Sequence, residues 1–140
     1  MNFFAFGFKR DGRISRKQFF PYFIVFILMV IVAVGLIATL SQHYPEYFLN
    51  KDPKSNEYSI SALSQVLFFL LTLPFYLMLF LTGMRRCRDI DVNPLFGVLL
   101  AIPYLNLLFG IYLCIKLGTE GPNRFGPAPM VPLKKSANRK

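Results

Sequence analysis

The sequence predicts an all-α membrane protein, a small bundle of three hydrophobic membrane segments. Charged residues make up only 16% of its 140 residues, against about 25% in soluble domains. Asp, Glu, Lys and Arg are absent from three stretches of 28, 27 and 24 residues, namely 18–45, 58–84 and 92–115. A helix needs about 20 apolar residues to cross the hydrocarbon layer, so each stretch is long enough to span it. Three such stretches could not all be buried by the little chain that remains.

These stretches predict one membrane domain over residues 1–130, with segments at about 19–41, 62–84 and 95–115. A basic N-terminal lead at 1–18, placed in the membrane interface, precedes the domain's first segment, and a Gly/Pro-rich tail that opens with residues 118–129 follows its last. Residues 131–140 are predicted to be a basic, disordered tail.

Local sequence signals for helix starts, kinks and turns support these boundaries. Ser15 and Gln18 fit a capping box at the start of the first helix. Pro74 predicts a kink near the middle of the second, because proline removes a backbone hydrogen bond. Residues 41–59 read as a polar loop with turn signals.

The net charge of +9 first suggests nucleic-acid binding. The basic residues flank the apolar stretches, however, as topology signals and contacts to anionic lipid headgroups do. We therefore expect the lipid bilayer as partner and no nucleic acid. His43 is the only histidine, and the chain shows no Ser/His/acid set and no clustered metal ligands, so we expect no enzyme, no metal and no cofactor. Cys87 and Cys114 are read as unpaired thiols.

The distribution of positive charge predicts a cytoplasmic N-terminus, with five Lys/Arg in the lead and two in the 41–59 loop. The third segment leaves two alternatives. Its 21 apolar residues favour a full crossing, which is the preferred prediction. The charge count favours a re-entrant hairpin bent between Pro103 and Asn106, since 14 cations would then lie inside and two outside. Only the hairpin would bring the Arg85–Asp91 loop and the Gly118–Pro129 turn to one face.

Three motifs lie at the edges of the apolar stretches: G-R-I-S-R-K-Q-F-F at 12–20, R-R-C-R-D at 85–89 and G-T-E-G-P-N-R-F-G-P-A-P at 118–129. In this order they resemble the family called domain of unknown function 805, small bacterial inner-membrane proteins. That family's pattern is G-R-x-S-R-x-x-[FY]-W, R-R-L-H-D and G-x-x-G-x-N-x-[FY]-G-x-x-P. Phe20 stands where the family has Trp, and Cys87-Arg88 where it has Leu-His. A G-W-W that usually follows the second motif is absent, and the 41–59 loop is longer than is typical.

The resemblance covers nearly the whole chain and implies a multi-pass protein of the bacterial inner (plasma) membrane, without an assigned activity. Two groups of motif residues are candidate sites. A headgroup or partner site is predicted at Arg13, Arg16, Arg85, Arg86, Arg88 and Asp89. For the second motif taken alone, the preferred interpretation is a topology signal with local ion pairs, and the headgroup or partner site is the alternative. A structural turn, rather than a phosphate cradle, is predicted at Gly118, Gly121, Asn123, Gly126 and Pro129.

The leading functional hypothesis is a structural or adaptor protein that binds another membrane protein or itself as a homo-oligomer. The alternative is a lipid- or small-solute-handling protein, an oligomeric channel or a transporter subunit. The apolar segments hold no acid, base or histidine, and coupled transporters normally need such groups inside the membrane. That favours the first hypothesis.

Overall fold

The computed structural model describes residues 3–9, 12–51 and 58–129 and is mostly helical. The predicted tail at 131–140 lies outside the described residues. The elements in chain order are α1 (Phe3–Gly7), α2 (Arg16–His43), α3 (Pro45–Phe48), β1 (Leu49–Lys51), β2 (Tyr58–Ile60), α4 (Ala62–Asp89), a 3₁₀ helix (Pro94–Ala101) and α5 (Leu105–Ile115).

Two long helices, α2 and α4, pack against each other and form the frame of the molecule. Each has 28 residues and therefore extends about 42 Å, more than the roughly 30 Å of hydrocarbon in a bilayer. Both are long and apolar enough to cross a membrane. Only 17% and 28% of the residues in their most apolar stretches are buried. Such outward-facing apolar surface is atypical of the core helices of a soluble protein.

The predicted boundaries hold at the start of α2 but not at the end of α4. At the first, the backbone N–H of Ser15 donates to Gln18 Oε1 at 3.0 Å, as a capping box requires. At the end of α4, residues 85–89 continue the helix, although they were predicted to belong to a loop. Cations are favourable in the last helical turn because they interact with the negative end of the helix dipole. The reversal comes only at Asp91, which has a φ of +59°.

The predicted third segment at 95–115 is not one continuous helix but turns back on itself, as the re-entrant alternative predicts. A 3₁₀ helix and α5 form the two arms of a hairpin. Gly97, in the first arm, lies against Met84 of α4. The second arm returns to the same end of α4, where the carbonyl of Leu113 accepts a hydrogen bond from Arg86 Nε at 3.0 Å. With 11 residues, α5 extends only about 16 Å.

The hairpin has a clear local cause. Pro103 lacks a backbone donor, and Tyr104 has a φ of +67°, so the helix cannot continue through this point. Close packing then holds the arms in place. A Cβ on Gly83 would overlap Leu100 of the first arm, and one on Gly110 would overlap the Phe23 ring of α2. Small residues allow helices to approach closely where no hydrophobic effect drives their association.

The remaining segments close the two ends of the frame. The lead forms the short helix α1, whose Gly7 contacts Met78 and Tyr22, while the Phe3 ring stacks on Tyr22 at 4.3 Å. At the opposite end, the predicted 41–59 loop contains α3 and an antiparallel strand pair in which Leu49 faces Ile60.

Candidate functional site

The carboxylate of Asp89, at the end of α4, lies between two guanidinium groups. Arg13 donates to Oδ1 from Nε at 3.2 Å and from a terminal nitrogen at 3.1 Å, and Arg86 donates to Oδ2. Exposed fractions are 6% for Arg13, 0% for Arg86 and 3% for Asp89. These three residues are called the Arg–Asp cluster below. A buried carboxylate is stable only when paired and hydrogen-bonded, and both conditions are met.

Arg13 joins the first motif to the third. One terminal nitrogen donates to the carbonyls of Gly121 and Gly126 at 2.9 and 3.1 Å. The other donates to the carbonyl and the hydroxyl of Thr119 at 2.8 and 2.9 Å. Only the planar, five-donor guanidinium can reach a carboxylate and several carbonyls at once.

Arg86 joins the second motif to the hairpin and the lead. Besides its bond to Leu113, it donates to the carbonyls of Lys116 and Ile14. The Arg–Asp cluster therefore ties together three chain segments that are far apart in sequence.

The tail turn caps the end of α4. The backbone N–H of Thr119 donates to the carbonyl of Asp89 at 2.8 Å, and Asn123 Nδ2 donates to that of Arg88 at 2.8 Å. Asn123 and Gly126 also exchange two backbone hydrogen bonds, at 3.1 and 2.9 Å. The last carbonyls of a helix need such external partners, because the helix itself offers none.

Glycine is required at the start of this turn. A Cβ on Gly118 would overlap the carboxylate of Asp89. Gly121 is required for a different reason, since its φ of +73° lies in the left-handed region that side chains disfavour.

The other predicted site residues lie around the Arg–Asp cluster. Arg85 is buried on the lead, where it donates to the carbonyl of Phe6 at 2.8 Å and lies 4.4 Å above its ring. Arg88 is half-buried, and Arg16 is exposed. The six predicted residues therefore do not form one exposed site.

A cavity of about 400 Å³ adjoins the cluster. Arg86 and Asp89 lie on its inner side, the start of α2 contributes Arg16 and Lys17, and the tail contributes residues 118–121 with Pro129. We call it the Arg16 cavity. It combines cationic side chains with a glycine-containing backbone wall.

Two contributors were missed in the sequence. Thr119 makes hydrogen bonds to both Arg13 and Asp89, yet its only signal was its position within the tail motif. Lys17 lines the cavity but is not among the six predicted site residues. Within the described residues no group of three His, Cys, Asp or Glu could hold a metal ion. Cys87 and Cys114 are free thiols that pack with the apolar core.

The fold and the cluster define a class of protein: two long apolar helices with a hairpin held at one end by buried arginines. Comparison with known proteins identifies the family of the chain. It belongs to the family described as Protein of unknown function (DUF805), whose match covers residues 7–127, as the resemblance of the three motifs indicated.

Two relatives are similar over most of their length. They are inner membrane protein YhaH of Escherichia coli (strain K12) and the protein of the same name in Escherichia coli O157:H7. Each is 29% identical over 118 residues, which are 84% of this chain and 84% of the relative. Neither the family description nor these names state an activity. No solved structure gives a significant match.

Proposed function

We propose that this is a multi-pass protein of the bacterial inner membrane, with its N-terminus in the cytoplasm. The helices α2 and α4 cross the bilayer, and the hairpin at 94–115 enters and leaves from the cytoplasmic side. The outward apolar surface of both helices and the names of the relatives support this placement. So does the charge count, since 14 Lys/Arg then lie on the cytoplasmic side and two in the 41–59 loop.

Within that membrane the chain acts as a structural or adaptor protein, not an enzyme, and uses no cofactor. The observation that carries this proposal is that the polar motif residues bond to one another. Arg13 and Arg86 direct their donors at Asp89 and at the chain's own carbonyls. A catalytic group must instead face the position of a substrate. The Arg–Asp cluster thus serves to hold the hairpin, the lead and the tail in one arrangement.

The exposed tip of the hairpin is an argument for a protein partner. Asn106 Nδ2 lies 3.5 Å from the hydroxyl of Tyr76. Tyr76 is ten residues, or about 15 Å, along α4 from Arg86. In the proposed placement the hairpin tip therefore lies near the middle of the bilayer. The backbone at 102–104 is non-helical, and Tyr104 is 88% exposed. Irregular backbone at membrane depth is tolerated only where protein or water covers it. A partner membrane protein, or a second copy of the chain, would provide that cover.

Crosslinking tests this role. A photoreactive amino acid at Tyr104 should give an adduct of one discrete protein mass in intact cells. The same group at Leu70, which is 66% exposed on α4, is the matched control and should react only with lipid. A doubled mass identifies a homo-oligomer, and another single mass identifies a partner. No protein adduct from position 104, or the same adducts from both positions, contradicts the adaptor role.

Topology is tested with single new cysteines at Asn50, Asp91 and Glu120, which are all exposed. An impermeant thiol reagent should label position 50 in intact cells whose outer membrane has been made permeable. Positions 91 and 120 should react only after lysis, and the unsubstituted chain gives the background from its own thiols. Labelling of position 120 but not 91 in intact cells would overturn the hairpin in the membrane.

A further inference from the structure

We infer that the Arg16 cavity is a binding site for a phosphate group, supplied by the headgroup of an anionic lipid. This inference rests on the membrane placement proposed above but not on the adaptor role.

The charge of the cavity is the first argument. Three cations line it, Arg16, Lys17 and Arg86, together with the carboxylates of Asp89 and Glu120. Asp89 is already shared by two guanidinium groups, so the buried cluster itself carries one excess positive charge. Ion pairs among the described residues are Arg13–Asp89, Arg86–Asp89 and Arg124–Asp91, and none of them uses Arg16 or Lys17.

An excess buried charge is costly, and backbone carbonyls compensate it only in part. An anion in the cavity would offset this excess directly. Phosphate is the anion that suits the wall best, because an arginine fork matches its oxygens in pairs and the lysine adds a point charge.

The size and composition of the cavity agree with this ligand. At about 400 Å³ it falls within the range of about 300–1,000 Å³ found for small-molecule sites. Gly118 and Gly121 line the cavity and present no side chain to it.

The position of the cavity points to a lipid. Arg16 and Lys17 are the first two residues of α2, immediately before its long apolar stretch. Phe20, one turn further on, is 53% exposed, and Ile24 is 36% exposed on the next turn. A headgroup in the cavity would therefore have its acyl chains beside an apolar helix surface. Cations at this level are where anionic headgroups are attracted.

Binding can be measured on the full chain in mild detergent by native mass spectrometry. Phosphatidylglycerol should bind one to one and survive mild activation, and zwitterionic phosphatidylcholine should bind far more weakly. The variant R16Q/K17Q should lose about tenfold or more in affinity for phosphatidylglycerol, because charge-assisted hydrogen bonds are lost. The variant K9Q/K51Q removes the same total charge from exposed positions elsewhere and should bind as the wild type does.

A second variant leaves the charge unchanged. Ala128, on the cavity wall, is exposed, so A128F should fill the space without disturbing the Arg–Asp cluster. It should weaken phosphatidylglycerol binding to a similar extent while the unfolding temperature stays the same.

The outcomes separate cleanly. Wild-type affinity in R16Q/K17Q and A128F, or equal losses in R16Q/K17Q and K9Q/K51Q, would overturn the site. Displacement of the lipid by millimolar inorganic phosphate would reassign the same site to soluble phosphate, and absence of displacement assigns it to the lipid. Release of the protein from membranes by carbonate would refute the membrane placement, whatever the binding result.

Discussion

The two ends of the α2–α4 frame are closed in opposite ways. At the end of the Arg–Asp cluster, the Arg13 side chain bonds to residues 76 to 113 positions away in sequence. At the other end, which carries β1 and β2 and is called the strand end, neutral hydroxyls make the contacts. Ser61 donates to the carbonyl of Tyr47 and Ser64 donates to that of Phe48, both at 2.8 Å. The partners are only 14 and 16 positions apart in sequence. A few buried charged side chains thus connect segments that are far apart in sequence, whereas the strand end is held by hydrogen bonds between neighbouring segments.

The largest effect is expected where the charges meet. Asp89→Ala leaves two buried guanidinium groups without their carboxylate, which should cost about 3–5 kcal/mol of stability. A thermal shift assay in mild detergent should show a much lower unfolding temperature than that of the wild type. Size-exclusion chromatography should show a smaller monodisperse fraction.

Its control is Asp91→Ala, which removes a carboxylate from the exposed ion pair with Arg124. An exposed pair contributes only about 0–1 kcal/mol. Similar losses in the two variants would show that burial of the cluster does not determine stability.

An intermediate effect is expected at the tail turn. Gly118→Ala places a methyl group against the Asp89 carboxylate and forces the turn away from α4. Overpacking of this kind costs about 1–3 kcal/mol. Gly35→Ala is the control, because a Cβ there meets nothing within 4 Å. If both variants unfold at the temperature of the wild type, then the close approach at Gly118 does not constrain the turn.

The smallest effect is expected at the strand end. Ser61 is the N-cap of α4 and accepts a hydrogen bond from the backbone N–H of Ser64 at 3.2 Å. Ser61→Ala should cost about 1 kcal/mol, as N-cap losses do. Hydrogen exchange should increase at the start of α4 and remain unchanged at residues 113–123. Increased exchange at both ends would mean that the two closures are coupled, contrary to the comparison above.

The sequence predicted the two long helices well, because uninterrupted apolar length and a capping box are local signals. For residues 95–115 the preferred prediction of one continuous segment was wrong, because apolar length was given more weight than the interruption at Pro103. The contact of Gly83 with Leu100, which holds the first arm against α4, is a tertiary feature without a strong local signal. The sequence identified the individual motif residues. It could not predict that they meet at Asp89, because that contact requires the hairpin to bring the tail back to the end of α4.

The span of the Arg–Asp cluster along the chain has a consequence for biosynthesis. Arg13 is translated early, yet the carbonyls that it needs belong to residues 106 to 113 positions later. Throughout most of translation this guanidinium must therefore be solvated by water instead of by those carbonyls. The arrangement can close only after the ribosome has passed Gly126 and, in the proposed membrane placement, only if the lead, the hairpin and the tail lie on the same side of the bilayer. In the proposed placement, completion of the native state therefore requires both synthesis as far as Gly126 and insertion in the proposed topology.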